Sequence, residues 1–297
     1  MLAQPRRLIR ATWRRHLIIR SAATAFGVIA ALQIATIAVL TLVDRRRKRR
    51  SAPATFPHGA LPEVALDGNV FQLYTYGHDL YAAMLAAIDA ATESIYLETY
   101  IWKHDEAGEE FKRHLVRKAE QGVAVYAVFD VVGNLVVPQS FKRFPPNIHT
   151  LKYHAISRPR HLLDPRRYAL DHRKLLVVDG QVAFIGGYNI GAVYAAEWRD
   201  THLRLTGPAA AHLAQAFVDF WNRYGPRDDP IRRRHKRPIN PAITVRGNDA
   251  MRLSFPIRDA YLAGLDAAEE RIRLTSAYFI PDHTLFNALK AAAARGV

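Results

Sequence analysis

Residues 170–191 read LDHRKLLVVDGQVAFIGGYNIG, and this stretch places His172 and Lys174 directly before an apolar run. Asp179 and Gly180 separate that run from a second one, a pattern typical of a type I′ turn between two antiparallel strands. Side chains two positions apart on a strand point to the same face. The stretch therefore predicts a β-hairpin that carries an imidazole and an ammonium group on one face.

The predicted register of this hairpin brings further polar groups to the same face. With a two-residue turn, Lys174 pairs with Ile185 and His172 pairs with Gly187, and extending the second strand brings Asn189 alongside. Because Gly187 has no side chain, we expect open space beside the imidazole. Such a pocket offers a nucleophile or base, a fixed positive charge and an amide donor. These groups suit attack on phosphorus and stabilisation of its non-bridging oxygens.

Each of these residues has a plainer explanation when it is considered alone. A single strand histidine is more often a core residue, Lys174 could protect an edge strand, and Asp179 could serve only to form the turn. Gly186, Gly187 and Asn189 taken separately are common loop residues. Their combination at this spacing favours a functional site.

Composition limits the partners and the chemistry. The 297 residues include 42 Lys and Arg against 27 Asp and Glu, a formal charge of +15, which favours an anionic partner. Nucleic acid, an acidic membrane surface and a phosphorylated substrate all meet that description. The chain has no cysteine, which excludes disulfide frameworks, thiolate metal sites and a cysteine nucleophile, and which fits a reducing compartment.

The N-terminal region has the pattern of a membrane anchor. A basic segment, residues 1–20, precedes residues 21–43, which carry no formal charge and as a helix would rise roughly 35 Å against a hydrocarbon core of about 30 Å. The basic linker 44–60 begins with a stop-transfer pattern, although a cleaved signal or a core helix remains an alternative. The dense basic cluster 45–50 favours a cytoplasmic main domain and contact with anionic headgroups.

Strand-like and helical segments alternate in the first predicted domain, residues 61–226. This alternation predicts an α/β domain with a largely parallel sheet. The predicted elements are a helix at 79–92 capped by Asp79, a strand at 94–102, a helix ending near 121, a strand at 123–130 and a helix at 208–225.

An internal repeat follows the first domain. Residues 259–297 repeat the order of 79–123, with a helix, an apolar strand, a loop and a helix that ends in Gly-Val, so we predict a duplicated fold. Residues 227–248 are then a basic linker and residues 249–297 the start of an incomplete second half. Because the repeat stops where its next strand is expected, the sequence predicts a chain truncated within that half.

The polar residues of the hairpin resemble the HKD motif of the phospholipase D superfamily. The matching residues are His172-x-Lys174-x4-Asp179 and then Gly186-Gly187-x-Asn189. The segments IYLETYIW, EWRDTHLRLTG and AYFIPD are most similar to the bacterial cardiolipin synthase branch, and the resemblance runs from about residue 70 to the end. It implies a phospholipase D-like mixed sheet flanked by helices, in two halves that contribute one motif each to a shared site.

The resemblance also implies a mechanism. His172 would attack phosphorus to form a phosphohistidine, the histidine of the partner motif would protonate the leaving alcohol, and a second alcohol or water would resolve the intermediate. Lys174 and Asn189 would supply the positive field, so neither a metal ion nor another cofactor is expected. Asp200, with Glu197 as its competitor, matches the acidic residue that holds the second imidazole nitrogen.

The implied site residues form two sets. The catalytic set is His172, Lys174, Asp179 and Asp200, and the phosphate-binding set is His172, Lys174, Asn189 and Gly187. Many family members have an arginine where this chain has Leu170, a charge that Arg166 or Arg167 could replace. The sequence contains one such motif, so the second would come from a longer chain or from a homodimer partner.

Three functions are compatible with these observations. The favoured one is a membrane-anchored phosphatidyltransferase, with a hydrolytic phospholipase as its variant, acting on anionic phospholipids such as phosphatidylglycerol and yielding cardiolipin. A nuclease of the same superfamily is the alternative, which the basic stretch RRRHKRPINP would suit. A non-enzymatic membrane protein is the third, and the intact polar residues of the hairpin argue against it.

Overall fold

The chain divides into two compact units, Met1–Thr55 and Phe56–Val297. A computed structural model describes residues 61–154, 163–164, 168–232, 243–277 and 279–297, together with residues 24, 27–28, 31–36, 38–43 and 46 of the first unit. Those residues of the first unit are helical and exposed. Across the described part of the chain, no helix combines the length and the hydropathy that a membrane crossing requires.

The N-terminal predictions fall largely on residues that the structure does not describe. The basic segment 1–20 lies wholly outside the described residues, and the linker 44–60 lies outside them except for Arg46. The predicted transmembrane helix, residues 21–43, lies partly outside them. Its described part is helical, and the membrane-spanning role stays a prediction.

The second unit contains an eight-stranded mixed sheet. Its strand order is β1-β2-β8-β7-β6-β3-β4-β5. The strands are β1 Val64–Leu66, β2 Asn69–Tyr74, β3 Ser94–Thr99, β4 Ala124–Asp130, β5 Ile148–Tyr153, β6 Leu175–Val178, β7 Val182–Gly186 and β8 His202–Thr206. Among the described strand pairs, β3–β4 and β4–β5 are parallel, and the other five are antiparallel. The α/β class is confirmed, and the expectation of a largely parallel sheet is wrong.

The antiparallel part of the sheet follows from its connections. Parallel strands need a crossover of a dozen or more residues, such as the helix that joins β3 to β4, whereas a tight turn can only join antiparallel strands. The connection from β6 to β7 is a tight turn, and β7 in turn pairs antiparallel with β8. The hairpin therefore enters the sheet beside β3 in the opposite direction.

Helices cover both faces of this sheet. One face packs against α1 Gly77–Ala90, α2 Glu106–Glu120 and α3 Ala192–Ala196, and the other against α4 Ala210–Tyr224. In β6, Leu176 and Val178 lie in the first core and Leu175 and Val177 in the second. All four are buried, because alternate side chains of a strand between two layers both meet apolar neighbours.

The starts of helices α1 and α2 differ in their capping, and the predicted cap of α1 is wrong. Tyr76, not Asp79, is the residue that precedes α1, and it makes no capping hydrogen bond through its side chain. Asp79 lies in the first turn, where a negative charge is favourable to the helix dipole. By contrast, the side chain of Asp105 caps α2 by accepting the N–H of Gly108 at 3.0 Å.

The turn of the hairpin has the predicted chemistry. Asp179 and Gly180 have positive φ values of 51° and 65°, and the N–H of Gln181 donates to the carbonyl of Val178 at 3.0 Å. Positive φ at both central residues is the property of a type I′ turn. The turn prediction is confirmed.

The predicted register of the hairpin is wrong by one residue. Val178 pairs with Val182, so Gln181 is an extra residue after the turn, equivalent to a β-bulge. The N–H of Gly186 consequently donates to the carbonyl of Lys174, at 3.4 Å. Ile185, predicted to pair with Lys174, pairs with Leu175 instead. The same shift of one residue moves His172 away from its predicted position opposite Gly187.

The repeat region forms its helices and not its strand. A 3-10 turn, Ala250–Arg252, precedes α5 Pro256–Asp266 and α6 His283–Ala294. The described residues of the predicted strand between these two helices, 271–277 and 279–280, form no strand and are mostly exposed. A strand is stabilised by hydrogen bonds to a neighbouring strand, and this segment pairs with none in the described part of the chain. The assignment of 249–297 to a second half stays a prediction.

The two helices that end in Gly-Val do finish alike. Gly122 and Gly296 have φ values of +88° and +92°. The N–H of the valine after each glycine donates to a helix carbonyl, Val123 to Lys118 at 3.1 Å and Val297 to Ala292 at 3.2 Å. This left-handed ending with a glycine is the Schellman type of helix terminus. The local geometry of the repeat thus matches at its helix ends.

Candidate active site

The polar residues of the hairpin lie at one edge of the sheet. Because β6 runs antiparallel to β3, its start lies at the carboxyl edge of β3 and β4. The end of β7 and the start of β8 lie at the same edge. His172, Lys174, Asn189 and Asp200 all occupy these strand ends. In sheets with parallel strands this edge is the usual position of a binding site.

The ring of Tyr100 contacts both the imidazole of His172 and the ammonium group of Lys174. The His172 ring is exposed on one side and its centroid lies 4.6 Å from that of Tyr100. The buried Lys174 donates from Nζ to the carbonyl of His172 at 2.7 Å, and Nζ lies 5.2 Å from the Tyr100 ring centre, within cation–π range. Tyr100 was not predicted as a site residue, although it directly follows β3.

The electrostatics of the site favour a neutral imidazole beside a charged ammonium group. Partial burial and then the charge of Lys174 lower the pKa of His172 below its ordinary value, against the opposing effect of Asp171, Asp130 and Asp200. Burial lowers the pKa of Lys174 to about 8. At neutral pH the imidazole is therefore unprotonated, which is the form that attacks an electrophile.

Asn189 is fixed by the segment that follows β3. Its side-chain oxygen accepts the N–H of Ile101 at 3.1 Å, and its carbonyl accepts the hydroxyl of Tyr81 at 2.5 Å. The Asn189 side chain also opposes the rise that burial causes in the pKa of Tyr194. Because an amide nitrogen carries two donor hydrogens, this side chain is able to donate to a ligand.

Asp200 occupies the space that was predicted to be open beside Gly187. A Cβ added to Gly187 would lie 2.0 Å from Oδ1 and 2.2 Å from Cγ of Asp200, so the expectation of open space there is wrong. Oδ1 accepts the N–H of Thr201 at 2.7 Å. The N–H of Asp200 donates to the hydroxyl of Tyr188 at 3.1 Å. The glycine is required because the carboxylate packs directly against its backbone.

The two acidic candidates differ in their surroundings. The negative charge of Asp200 acts on both His172 and Lys174. It opposes the lowering of the pKa of each group, because it favours their protonated forms. No hydrogen bond joins its carboxylate to the imidazole among the described residues. Glu197 ends α3 and is exposed. The geometry therefore supports Asp200 over Glu197 as the acidic residue of the site.

Asp179 lies at the opposite end of the hairpin from His172. Its carboxylate accepts the N–H groups of Thr92, Glu93 and Ser94 and the hydroxyl of Thr92, at 2.7 to 2.9 Å. Burial alone would raise the pKa of Asp179, but these bonds lower it below its ordinary value. The side chain fastens the turn to the start of β3, and the structure does not bring it together with the other predicted site residues.

Two buried polar residues in and after β4 fix the backbone of the site. Asp130 accepts the N–H of Asp171 at 3.0 Å, next to His172. The Asn134 side chain donates to the carbonyl of Tyr100 and accepts the N–H of Trp102, both at 2.8 Å. Neither Asp130 nor Asn134 was predicted from the sequence. The signal available was their position at the end of an apolar strand and in the loop that follows it.

His202 is a buried histidine that was not predicted. It is 2% exposed, it pairs across the sheet with Gly186, and its two ring nitrogens have no hydrogen-bond partner among the described residues. Burial and then the charge of Lys174 lower the pKa of His202 to about 3. A glycine at position 186 is needed, because a Cβ there would lie 2.7 Å from Cγ of His202.

Two further predictions about the site concern an arginine and a metal ion. Arg166 and Arg167, the proposed substitutes for the family arginine, lie outside the described residues. No group of three or more His, Asp or Glu side chains in the described part of the chain is arranged to hold a metal ion. The expectation of a reaction without a metal ion stays a prediction.

Comparisons with known proteins match this region to one family. Residues 84–221 match the family described as "Cardiolipin synthase, PLD-like domain". The chain is 34% identical over 249 residues to the cardiolipin synthase of Listeria monocytogenes serotype 4b (strain CLIP80459), covering 79% of this chain and 51% of the relative. It is 31% identical over 239 residues to the cardiolipin synthase of Geobacillus kaustophilus, covering 75% and 47%.

A solved structure gives a weaker likeness. The phosphatidylserine synthase of Haemophilus influenzae Rd KW20 matches with a TM-score of 0.42 and 20% identity over 78% of this chain and 54% of that chain. The chain spans about half the length of the curated cardiolipin synthases that it matches. The sequence matches therefore establish that this chain is homologous to the bacterial cardiolipin synthases and carries their phospholipase D-like domain.

Proposed function

We propose that this chain provides the nucleophile of a phospholipase D-type phosphatidyltransferase, of the cardiolipin synthase kind. The observation that carries the proposal is the solvent-accessible imidazole of His172, whose pKa is lowered, next to the buried ammonium group of Lys174, which donates to the backbone carbonyl of His172. Asn189 and Asp200 lie at the same edge of the sheet. A neutral nucleophile beside fixed positive charge is the arrangement that attack on a phosphodiester requires.

The proposed first step forms a phosphohistidine. A ring nitrogen of His172 attacks the phosphorus of phosphatidylglycerol, a P–N bond forms, and the P–O bond to glycerol breaks. Lys174 and the side-chain amide of Asn189 donate to the non-bridging oxygens. The negative charge of Asp200 stabilises the imidazolium that develops on His172. The departing glycerol oxygen takes a proton from a general acid, which the family resemblance assigns to a second histidine.

The second step returns the enzyme to its starting state. A hydroxyl of a second phosphatidylglycerol attacks the phosphohistidine, the P–N bond breaks, and cardiolipin forms. The general base that accepts the hydroxyl proton is the group that protonated the glycerol. Attack by water would instead give phosphatidic acid and make the chain a phospholipase.

Two further parts of the proposal complete the site and bring it to its substrate. The general acid would come from a second copy of the chain or from a further segment of a longer protein, since the sequence carries one His-x-Lys motif. Residues 21–43 would anchor the chain, with the basic cluster 45–50 on anionic headgroups at the cytoplasmic side. An anchor raises the local concentration of lipid at the site.

Radiolabelled phosphatidylglycerol vesicles test the proposal. We expect release of glycerol, formation of cardiolipin and an acid-labile, base-stable phosphate label on the protein. His172→Ala should abolish the label and the release, whereas His154→Ala, an exposed histidine outside the site, should retain both. Release of nucleotides from single-stranded DNA without lipid turnover would replace the proposal with a nuclease. Glycerol release by His172→Ala would remove His172 from the nucleophile role.

A further inference from the structure

Large apolar side chains are exposed on the chain segments next to the candidate site. We refer to Leu135, Val136, Leu170 and Trp198 as the apolar rim. Their exposed fractions are 69%, 87%, 46% and 52%. A single exposed apolar residue is ordinary on a protein surface, but several around one polar site mark an interaction surface.

Each rim residue is attached to a residue of the site. Leu135 and Val136 follow Asn134, whose side chain bonds the backbone of Tyr100. Leu170 is two residues before His172. Trp198 is two residues before Asp200, and its carbonyl oxygen lies 3.3 Å from the hydroxyl of Tyr188, the group that accepts the Asp200 N–H. The rim residues therefore lie on three chain segments that meet the edge of the sheet that carries the imidazole.

Basic side chains accompany the apolar rim. Arg199 directly follows Trp198 and is exposed, and Arg143 is exposed in the loop that carries Leu135 and Val136. Tryptophan beside arginine is a composition found at the boundary between lipid headgroups and acyl chains. A partner that matches both the rim and the phosphate-binding groups presents anionic phosphates at an apolar boundary.

We propose that the apolar rim docks the phospholipase D-like domain on an anionic phospholipid bilayer and delivers headgroup phosphates to His172. This inference rests on the proposed function, since it names the physical state of the substrate. The rim side chains enter the headgroup and upper acyl region, while Arg143 and Arg199 contact anionic headgroups. A second copy of the chain and another protein are the competing occupants.

Hydrogen exchange on the full chain tests the contact directly. We expect vesicles containing phosphatidylglycerol, but not vesicles of phosphatidylcholine alone, to slow exchange in residues 131–137 and 196–200. Exchange in residues 63–67, around the outermost strand β1, should be unchanged. Slow exchange of the rim segments without lipid, rising with protein concentration, would assign the rim to a second copy and overturn the proposal.

A matched pair of double variants tests the energetics. Leu135→Ser with Val136→Ser removes two rim side chains, and Val64→Ser with Leu66→Ser removes two side chains of β1 that are 58% and 51% exposed. We expect the rim variant to bind anionic vesicles roughly tenfold more weakly, and the β1 variant to bind within about twofold of the parent chain. The predicted anchor is present in both variants, so the comparison isolates the rim. Equal vesicle binding by both variants would overturn the proposal.

A water-soluble short-chain phosphatidylglycerol distinguishes an effect of the rim on docking from an effect on the reaction at His172. The rim variant should release glycerol from this monomeric lipid as fast as the parent chain and should lose release from vesicles. Loss of vesicle turnover with unchanged vesicle binding would overturn delivery by the rim. Exchange protection at the rim without glycerol release from either lipid would refute phosphatidyl transfer and support docking alone.

Discussion

Gly187→Ala is the substitution that tests the packing of Asp200 most directly. The added methyl carbon would lie 2.0 Å from Oδ1 and 2.2 Å from Cγ and Oδ2 of the aspartate, which is far inside van der Waals contact. The carboxylate must therefore move. As it moves, Oδ1 loses the hydrogen bond from Thr201, now 2.7 Å long.

The expected cost has two parts. Overpacking at a tight contact destabilises a fold by about 1 to 3 kcal/mol, and the lost hydrogen bond adds about 1 kcal/mol. Displacement of the carboxylate from the imidazole and the ammonium group should also lower the rate of glycerol release, by on the order of 10²-fold, as is typical for a displaced group in an active site. Both effects should appear in Gly187→Ala.

Denaturant unfolding and glycerol release are the two assays. Gly264→Ala is the matched control, because Gly264 lies inside helix α5 with no heavy atom within 4 Å of an added Cβ, and alanine there should stabilise by up to about 1 kcal/mol. The double variant Gly187→Ala with Asp200→Ala removes the overlap, so it should regain stability relative to Gly187→Ala alone. Wild-type stability and release in Gly187→Ala, or strict additivity in the double variant, would refute the reasoning.

Four further predictions follow from the same geometry. Glycerol release should rise as pH increases through a value below 6.5, where His172 loses its proton, and should fall above about 8 as Lys174 loses its charge; a profile without the alkaline decline would contradict the role of the ammonium group. Because the folded-state pKa of His202 is about 3 and its unfolded value about 6.5, the unfolded chain binds the extra proton between these values. The contribution of neutral His202 to the free energy of unfolding is therefore fully present above pH 6.5 and is lost as the pH drops toward 3. The urea midpoint of His202→Gln should fall less steeply with acid than that of the parent chain. Asp179→Ala should lower the free energy of unfolding by about 1 to 3 kcal/mol and leave turnover per folded molecule unchanged, which distinguishes a structural role from a catalytic one. Asn189→Asp keeps an acceptor for the backbone but replaces donors with negative charge, so it should lower turnover by about 10²-fold with little change in the unfolding midpoint.

The hairpin shows how far local sequence can be read. Asp179 and Gly180 determine a turn because their backbone angles are set by local chemistry. The register was not predictable, because β6 is apolar at every position, so a shift of one residue still leaves apolar side chains on both faces. The extra residue Gln181 is visible only through the pairing of β7 with β6 and β8, which depends on the whole sheet.

The sequence predicted the site residues that lie close together in the chain. It missed those that reach the site from other strands of the sheet. His172 and Lys174 are two residues apart, so their common face follows from strand periodicity. Tyr100 and Asp130 belong to β3 and β4 or follow them directly, and their contact with the hairpin depends on the strand order β6-β3-β4. A parallel sheet, as first expected, would not have brought the start of β6 to the carboxyl ends of those strands.

The antiparallel insertion of the hairpin explains why its two ends have different roles. One end of β6 is fastened to the start of β3 by the Asp179 carboxylate, and the other end presents His172 to Tyr100 at the far edge. Between them, the four residues of β6 are buried on both faces and hydrogen-bonded to β3 and β7. A strand held in this way keeps its position when one end is released, because packed interiors deform little. The turn aspartate therefore stabilises the hairpin without being needed to place an imidazole that it does not contact.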